Sequence, residues 1–213
     1  MNKTGRQKST KTSHHHGDLR EALISAGIDI LRESGATGLT LRACAARAGV
    51  SHAAPAHHFQ GMEGLLVAIA ARGFQQFTDM MIQEREASGV EPGERLLAIC
   101  RGYLQFAQEN ASLYNLMFSS ENVSFSDADL DRASTAAYQV LVDGCAPFEP
   151  GPAGAKGNEI MIWSLLHGYA GLVRRACSAG SQHPMNNTRF EDILPPLQLR
   201  GKKAPRRSAA KRA

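Results

Sequence analysis

Apolar residues recur at helical spacing along almost the whole of this chain and at strand spacing nowhere, which restricts it to an all-α fold. Leu19, Leu23, Ala26 and Ile30 follow i, i+4, i+7, i+11. That spacing predicts an amphipathic helix over 18–34 that ends before Gly35. Leu41 to Ala48 reads as a second, short helix with Thr40 as its N-cap, and a third lies around 52–58. A long helix is expected from Met62 to about Ala87, on the stripe Leu65, Leu66, Ile69, Phe74, Phe77 and Met81. The next opens with Pro92 and Glu94 in its first turn, as helix starts prefer. Asn110 is placed to cap a helix through Phe118, and Ser126 another through about Cys145. A Pro/Gly-rich connection at 145–158 leads to a long apolar helix ending at Gly180, and a short helix over Thr188 to Leu194 stops at Pro195-Pro196. About nine helices are expected, with a seam near Ala71 between three short helices and a larger, more apolar bundle.

Charge and cysteine usage narrow the function classes. Residues 1–17 and 201–213 hold ten of the 24 Lys and Arg and no acid, which leaves 14 cations against all 20 acids in the body. Two cationic tails on an acidic body suit a polyanion partner, although basic tails also serve simply to solubilise. Cys44, Cys100, Cys145 and Cys177 are widely spread among apolar neighbours, which reads as buried free thiols rather than a disulfide or metal framework. The histidines at 14–16, 52, 57 and 58 share no Cys or carboxylate spacing, so no metal is expected, and no cofactor either. No apolar run is long enough to span a membrane, and the basic N-terminus lacks the apolar core of a secretory signal, so a cytoplasmic protein is expected. GxSxG, P-loop, HExxH and glycine-fingerprint motifs are absent, as are the strands most of them need, so an enzyme is not expected.

The stretch LTLRACAARAGVSHAAPAHHFQGMEGLL (39–66) carries the most specific signal. Two helices crossing steeply through a tight turn need a residue tolerant of φ > 0, a small residue at the crossing and apolar residues facing a shared core. Gly49, Ala45 and the set Leu41, Cys44, Ala48, Val50 and Phe59 meet these demands. If Ser51 is the N-cap, Pro55 falls at the edge of the first turn, where its missing N–H matters least. The alanines at 53, 54 and 56 leave room for close approach to a major groove, and their methyls suit thymine methyls; they also suit a merely packed short helix.

This stretch resembles the DNA-binding domain of the TetR family of transcriptional regulators. HHHGDLREALISAG resembles the entry to the first helix in one subgroup, which makes His14–His16 native rather than a tag. LYNLMF (113–118) and Trp163 with His167-Gly168 resemble that subgroup's C-terminal WHG domain. The resemblance implies a helix-turn-helix domain over 18–71 and a ligand-binding and dimerisation domain over 72–200, and the charge pattern adds a basic flexible arm over 1–17 and a basic disordered tail from 201. It further implies that Thr40 and Arg42 lie at the phosphate backbone and that Ser51, His52 and Ala53 face the groove, with His57 where the subgroup often has Arg. The family usually carries Tyr at the position of Ala56 and Lys at that of Met62, both phosphate holders. Their loss shifts weight to the arm, Lys11 included, lying along the backbone or in the minor groove.

The same resemblance implies a homodimer on a palindromic operator, released as a repressor by a small apolar effector. Ile160, Trp163, Leu166, His167, Ala170, Gly171 and Arg174 are the dimerisation candidates. Phe77, Met81, Tyr103, Phe106, Met117, Phe118 and Trp163, with Met80 and Met161, are the candidate pocket, although Met and Phe at helical spacing are by themselves ordinary core. A non-specific nucleic-acid binder working through its tails is the alternative.

Overall fold

A computed structural model of the chain describes residues 12–119, 123, 125–151, 153–179 and 188–201. Among them run nine helices and no strand. They are α1 (Thr12–Gly38), α2 (Leu41–Arg47), α3 (Ala54–His58), α4 (Gly61–Ala87), α5 (Pro92–Glu109), α6 (Ala111–Ser119), α7 (Ala128–Cys145), α8 (Ala155–Ala179) and α9 (Phe190–Ile193). The expected break at Gly35 is present: its φ of 67° interrupts α1, and the chain continues through one further turn to Gly38. No described helix is long and apolar enough to cross a membrane.

The chain divides into two compact units. The first takes residues up to Gln75 together with Asn110–Ser134, and the second takes Gln76–Glu109 and everything from Thr135 onward. α4 thus supplies residues to both, and the first unit gains α6 and the start of α7 beyond the 18–71 expected of the sequence. Its core is Leu23, Ile24 and Leu31 of α1, Leu65, Ile69 and Phe74 of α4 and Met117 of α6, all almost fully buried. Full burial of side chains of this size stabilises by about 1.5–3 kcal/mol each before chain entropy is set against it. Phe118 places its ring edge-on to Phe74 at 5.1 Å, and Arg32 donates to the Asn110 side-chain oxygen at 3.3 Å.

In the second unit α5 packs on α8. Phe77, Ile99, Phe106 and Ile162 are its most buried large side chains. The approach of α5 to α4 is close at Gly102, where an added Cβ would lie 2.8 Å from both the Met80 carbonyl oxygen and the Met81 Cα.

Two local details differ from the sequence expectations. The start of α3 is capped not by Ser51 but at Ala53, without a side-chain bond, and Pro55 sits within the first two helical positions. There its missing N–H has no intrahelical carbonyl to lose. α7 is capped by Asp127 rather than Ser126: the Asp127 carboxylate accepts the N–H groups of Asp129 and Leu130, both at 3.0 Å. The Pro/Gly-rich connection before α8 is held in place by backbone pairing. The C-terminal segment returns to it, with Glu149 N–H donating to the Gln198 carbonyl at 2.7 Å and Arg200 N–H to that of Pro147 at 3.0 Å. Arg200 Nε adds a bond to the Phe148 carbonyl at 2.9 Å.

Candidate nucleic-acid interface and apolar cavity

The helix pair α2–α3 is built by its two ends. At the start of α2 the Thr40 hydroxyl oxygen accepts the Ala43 N–H at 3.0 Å, with Thr40 itself extended, which is the expected N-cap. At its end Gly49 N–H donates to Ala46 at 3.2 Å and Val50 N–H to Ala45 at 3.0 Å, around a Gly49 φ of 68°. These paired bonds form a Schellman motif, which satisfies two of the last carbonyls of α2 and turns the chain sharply. Cys44 and Ala45 are completely buried beneath the turn, Phe59 almost so, and Leu41, Ala48 and Val50 half so.

The turn leaves a set of polar and small residues facing out. Thr40, Arg42, Ser51, His52, Ala53, Ala56 and His57 are all exposed. Ala53, Ala56 and His57 follow i, i+3, i+4 along one side of α3, while Ala54 and Pro55 bury the other. Every expected DNA-facing residue is therefore exposed except Lys11, which lies outside the described residues. Met62, where the resemblance expects Lys, is half-buried. Arg47 is committed elsewhere, bound through both nitrogens to the Glu33 carboxylate at 2.8 and 2.5 Å, which holds that carboxyl below the usual carboxylate range. Arg42 makes no ion pair among the described residues.

The expected pocket residues separate. Phe77, Met81, Tyr103 and Trp163 line one apolar cavity of the second unit, together with Leu166, which the sequence suggested for dimerisation, and with Ile99, Ala137 and Leu141, which sequence patterning did not single out. The cavity is small, with about 10 Å³ of space, about what one water molecule needs. Phe106 packs behind Phe77 with ring centroids 5.2 Å apart, whereas Met117 and Phe118 belong to the first unit. At the cavity's rim Tyr103 hydrogen-bonds His167 Nδ1, and burial, with Arg174 secondary, lowers the His167 pKa.

The dimerisation candidates also face different ways. Ala170 is buried, and Trp163 and His167 stand 6.1 Å apart within the second unit. Ile160 points outward, 58% exposed, in line with exposed Ser164, Gly168 and Leu172 at i, i+4, i+8, i+12. α8 is apolar on more than one side, so its period alone could not single out this stripe. Among the cysteines, Cys44, Cys100 and Cys145 are free and buried, and the side chain of Cys177 lies outside those described. Burial pushes Cys100 and Cys145 up to about 12, far from thiolate reactivity.

Comparison with known proteins agrees with this architecture. Residues 23–69 match the family model of bacterial regulatory proteins of the tetR family, and residues 96–186 match that of the tetracyclin repressor-like C-terminal domain. The chain is 32% identical over 154 residues to the HTH-type transcriptional regulator BetI 1 of Chromohalobacter salexigens, covering 68% of this chain and 76% of that protein. Its fold is similar to a protein of unknown function from Rhodococcus sp. RHA1, with TM-score 0.68, 28% identity, and 83% and 92% of the two chains covered. It is also similar in fold to the transcriptional regulator FadR of Bacillus subtilis, solved in complex with stearoyl-CoA: TM-score 0.61, 13% identity, 82% and 97% covered.

Proposed function

Since the chain belongs to the tetR family of bacterial regulatory proteins and is a DNA-binding transcriptional regulator, we propose that it is an effector-responsive repressor acting as a homodimer on a palindromic operator. The observation that carries the DNA side is the surface at α2–α3, where Thr40, Arg42, Ser51, His52, Ala53, Ala56 and His57 all stand exposed around a capped, tightly turned helix pair. Thr40 and Arg42 would take phosphates, and Ser51, His52 and Ala53 would read base edges where small side chains permit close approach. One such head covers only a few base pairs, so two heads reading half-sites about 34–36 Å apart supply the affinity. The outward stripe Ile160, Ser164, Gly168 and Leu172 is the proposed self-association face, since large apolar side chains stand exposed there beside small ones. The effector is proposed to be a small, largely apolar molecule that widens the small cavity around Phe77, Met81, Tyr103 and Trp163. Support comes from the apolar lining and from FadR, a relative in fold solved with stearoyl-CoA.

Selection of bound fragments from random or genomic DNA by the full-length protein at ~0.15 M salt tests this reading. A single palindromic motif is the expected result. Recovery of DNA without a motif would replace it with the alternative, a non-specific binder held by its cationic tails, whose affinity then disappears on removal of residues 201–213.

A further inference from the structure

The first unit holds a polar cleft of about 430 Å³, a volume within the range of about 300–1,000 Å³ usual for small-molecule sites. Its walls include Arg20 of α1, Phe59 and Gln60 at the end of α3, Glu63 of α4, and Ser126 and Asp127 before α7. Charges of both signs face this space, yet Arg20 pairs with neither Glu63 nor Asp127. The Arg20 guanidinium lies over the Phe59 ring, and its ion pair is a long one, 3.9 Å to Glu21. Glu21 is itself held by Arg72. A guanidinium kept over a ring in this way has its rim of N–H donors available for the two oxygens of a carboxylate. The acids are similarly uncommitted. Glu63 is exposed and enters no ion pair among the described residues. Asp127 spends Oδ1 on the N–H groups of Asp129 and Leu130, which leaves Oδ2 for another donor.

We infer that this cleft binds a small zwitterion, its carboxylate on Arg20 and its ammonium on Glu63 and Asp127. A lone amine would leave Arg20 without an anion, and a lone carboxylate would stand beside two groups of like charge. A phosphate, with about two negative charges at neutral pH, would meet the same repulsion with one guanidinium to offset it. Phe59 and Val67 are the apolar residues of the walls, and they suit a short methylene chain between the charged ends. The cleft shares no residue with the apolar cavity of the second unit, so it stands whether or not an effector binds there. An occupant ties the end of α3 to α1, α4 and the segment before α7, all within the DNA-reading unit.

The test is isothermal titration calorimetry of the full-length protein with the ω-amino acids from 4-aminobutanoate to 8-aminooctanoate. Each is compared with the alkanoate and the alkylamine of the same chain length. At least one amino acid is expected to bind about tenfold or more tighter than either singly charged counterpart. Arg20→Gln should bring that amino acid level with its amine. Glu63→Gln with Asp127→Asn should bring it level with its alkanoate, and asparagine still caps α7. Glu63→Gln alone alters an exposed side chain, keeps the fold and should already narrow the preference over the alkanoate. Binding of no amino acid in the series, or of none more tightly than its amine and alkanoate, overturns the inference. So does a preference that survives in both the Arg20 and the carboxylate variants, since the zwitterion would then bind elsewhere on the protein.

Discussion

The guanidinium of Arg20 lies over the ring of Phe59, 5.5 Å from its centroid. The contact joins α1 to the residue that ends α3, so the orientation of the helix pair depends on a buried ring stacked under a charge from another helix. Phe59 is only 7% exposed. Phe59→Ala removes the ring and leaves a void, and should destabilise the first unit by about 3–5 kcal/mol. Arg20→Ala leaves the ring in place and removes a contact typically worth about 0.5–1 kcal/mol at an accessible site. Denaturant unfolding followed by helical circular dichroism ranks the two, and an Arg20→Ala loss equal to that of Phe59→Ala would show that the cation rather than the ring holds α3.

Gly49 isolates a backbone effect. A Cβ built there meets nothing within 4 Å, so the only obstacle to a side chain is the φ of 68°. Gly49→Ala should cost about 1 kcal/mol, and Gly49→Asn less, because asparagine tolerates the left-handed region. Thermal unfolding of the two variants provides the comparison. Equal losses would point to a packing cost that the open space above Gly49 does not contain.

What the sequence made legible was local chemistry at short range. Thr40, Gly49 and the apolar positions between them fix α2 within a ten-residue window, and the structure places each as expected. The caps of α3 and α7 were less determinate, because Ser126 and Asp127 are adjacent cap-forming residues and only the fold decides which oxygen reaches the N–H groups of Asp129 and Leu130. The return of residues 198–200 to 147–149 pairs segments about fifty positions apart, and no periodicity announces it. Met117 and Phe118 show the same limit. A Met-Phe pair at helical spacing fits a pocket or a core equally well, and it is the fold that seats Phe118 against Phe74 in the first unit.

Arg42 is the exposed cation of α2 that is not spent on an ion pair, in contrast to Arg47 on Glu33. Arg42→Ala should weaken operator and non-operator DNA alike and lower the slope of log affinity against log salt by about one per subunit. His52→Ala should instead change which sequences are preferred. Deleting residues 1–12 should weaken binding by about tenfold or more at moderate salt, if the arm replaces contacts that Ala56 and Met62 do not make. Fluorescence anisotropy over a salt series reads all three; an unchanged slope for Arg42→Ala would remove that residue from the phosphate contacts.

Ile160 and Leu172 are 58% and 42% exposed on α8, in a stripe with Ser164 and Gly168 between them. If this face joins two copies, Ile160→Glu with Leu172→Glu should shift the protein to monomer by burying two like charges against their symmetry mates, with helical content retained. Sedimentation velocity at micromolar concentration reads the outcome. A dimer that survives both charges would move the interface elsewhere on the second unit.

His167 sets a pH dependence whose sign follows from its surroundings. Burial disfavours its charged form, and the positive field of Arg174 adds to this, so its folded pKa lies below the ordinary 6.5. The unfolded chain therefore takes up the proton first as pH falls. Stability should decline as pH drops through about 6.5 and level off only below the folded pKa, the opposite of a histidine gaining an anionic partner. His167→Gln removes the titration and can keep a hydrogen bond with Tyr103. Urea midpoints at pH 7.5 and 5.5 should then fall further for the wild type than for the variant. A loss of the same size in both would assign the acid sensitivity to other groups and leave His167 as a packing residue at the cavity rim.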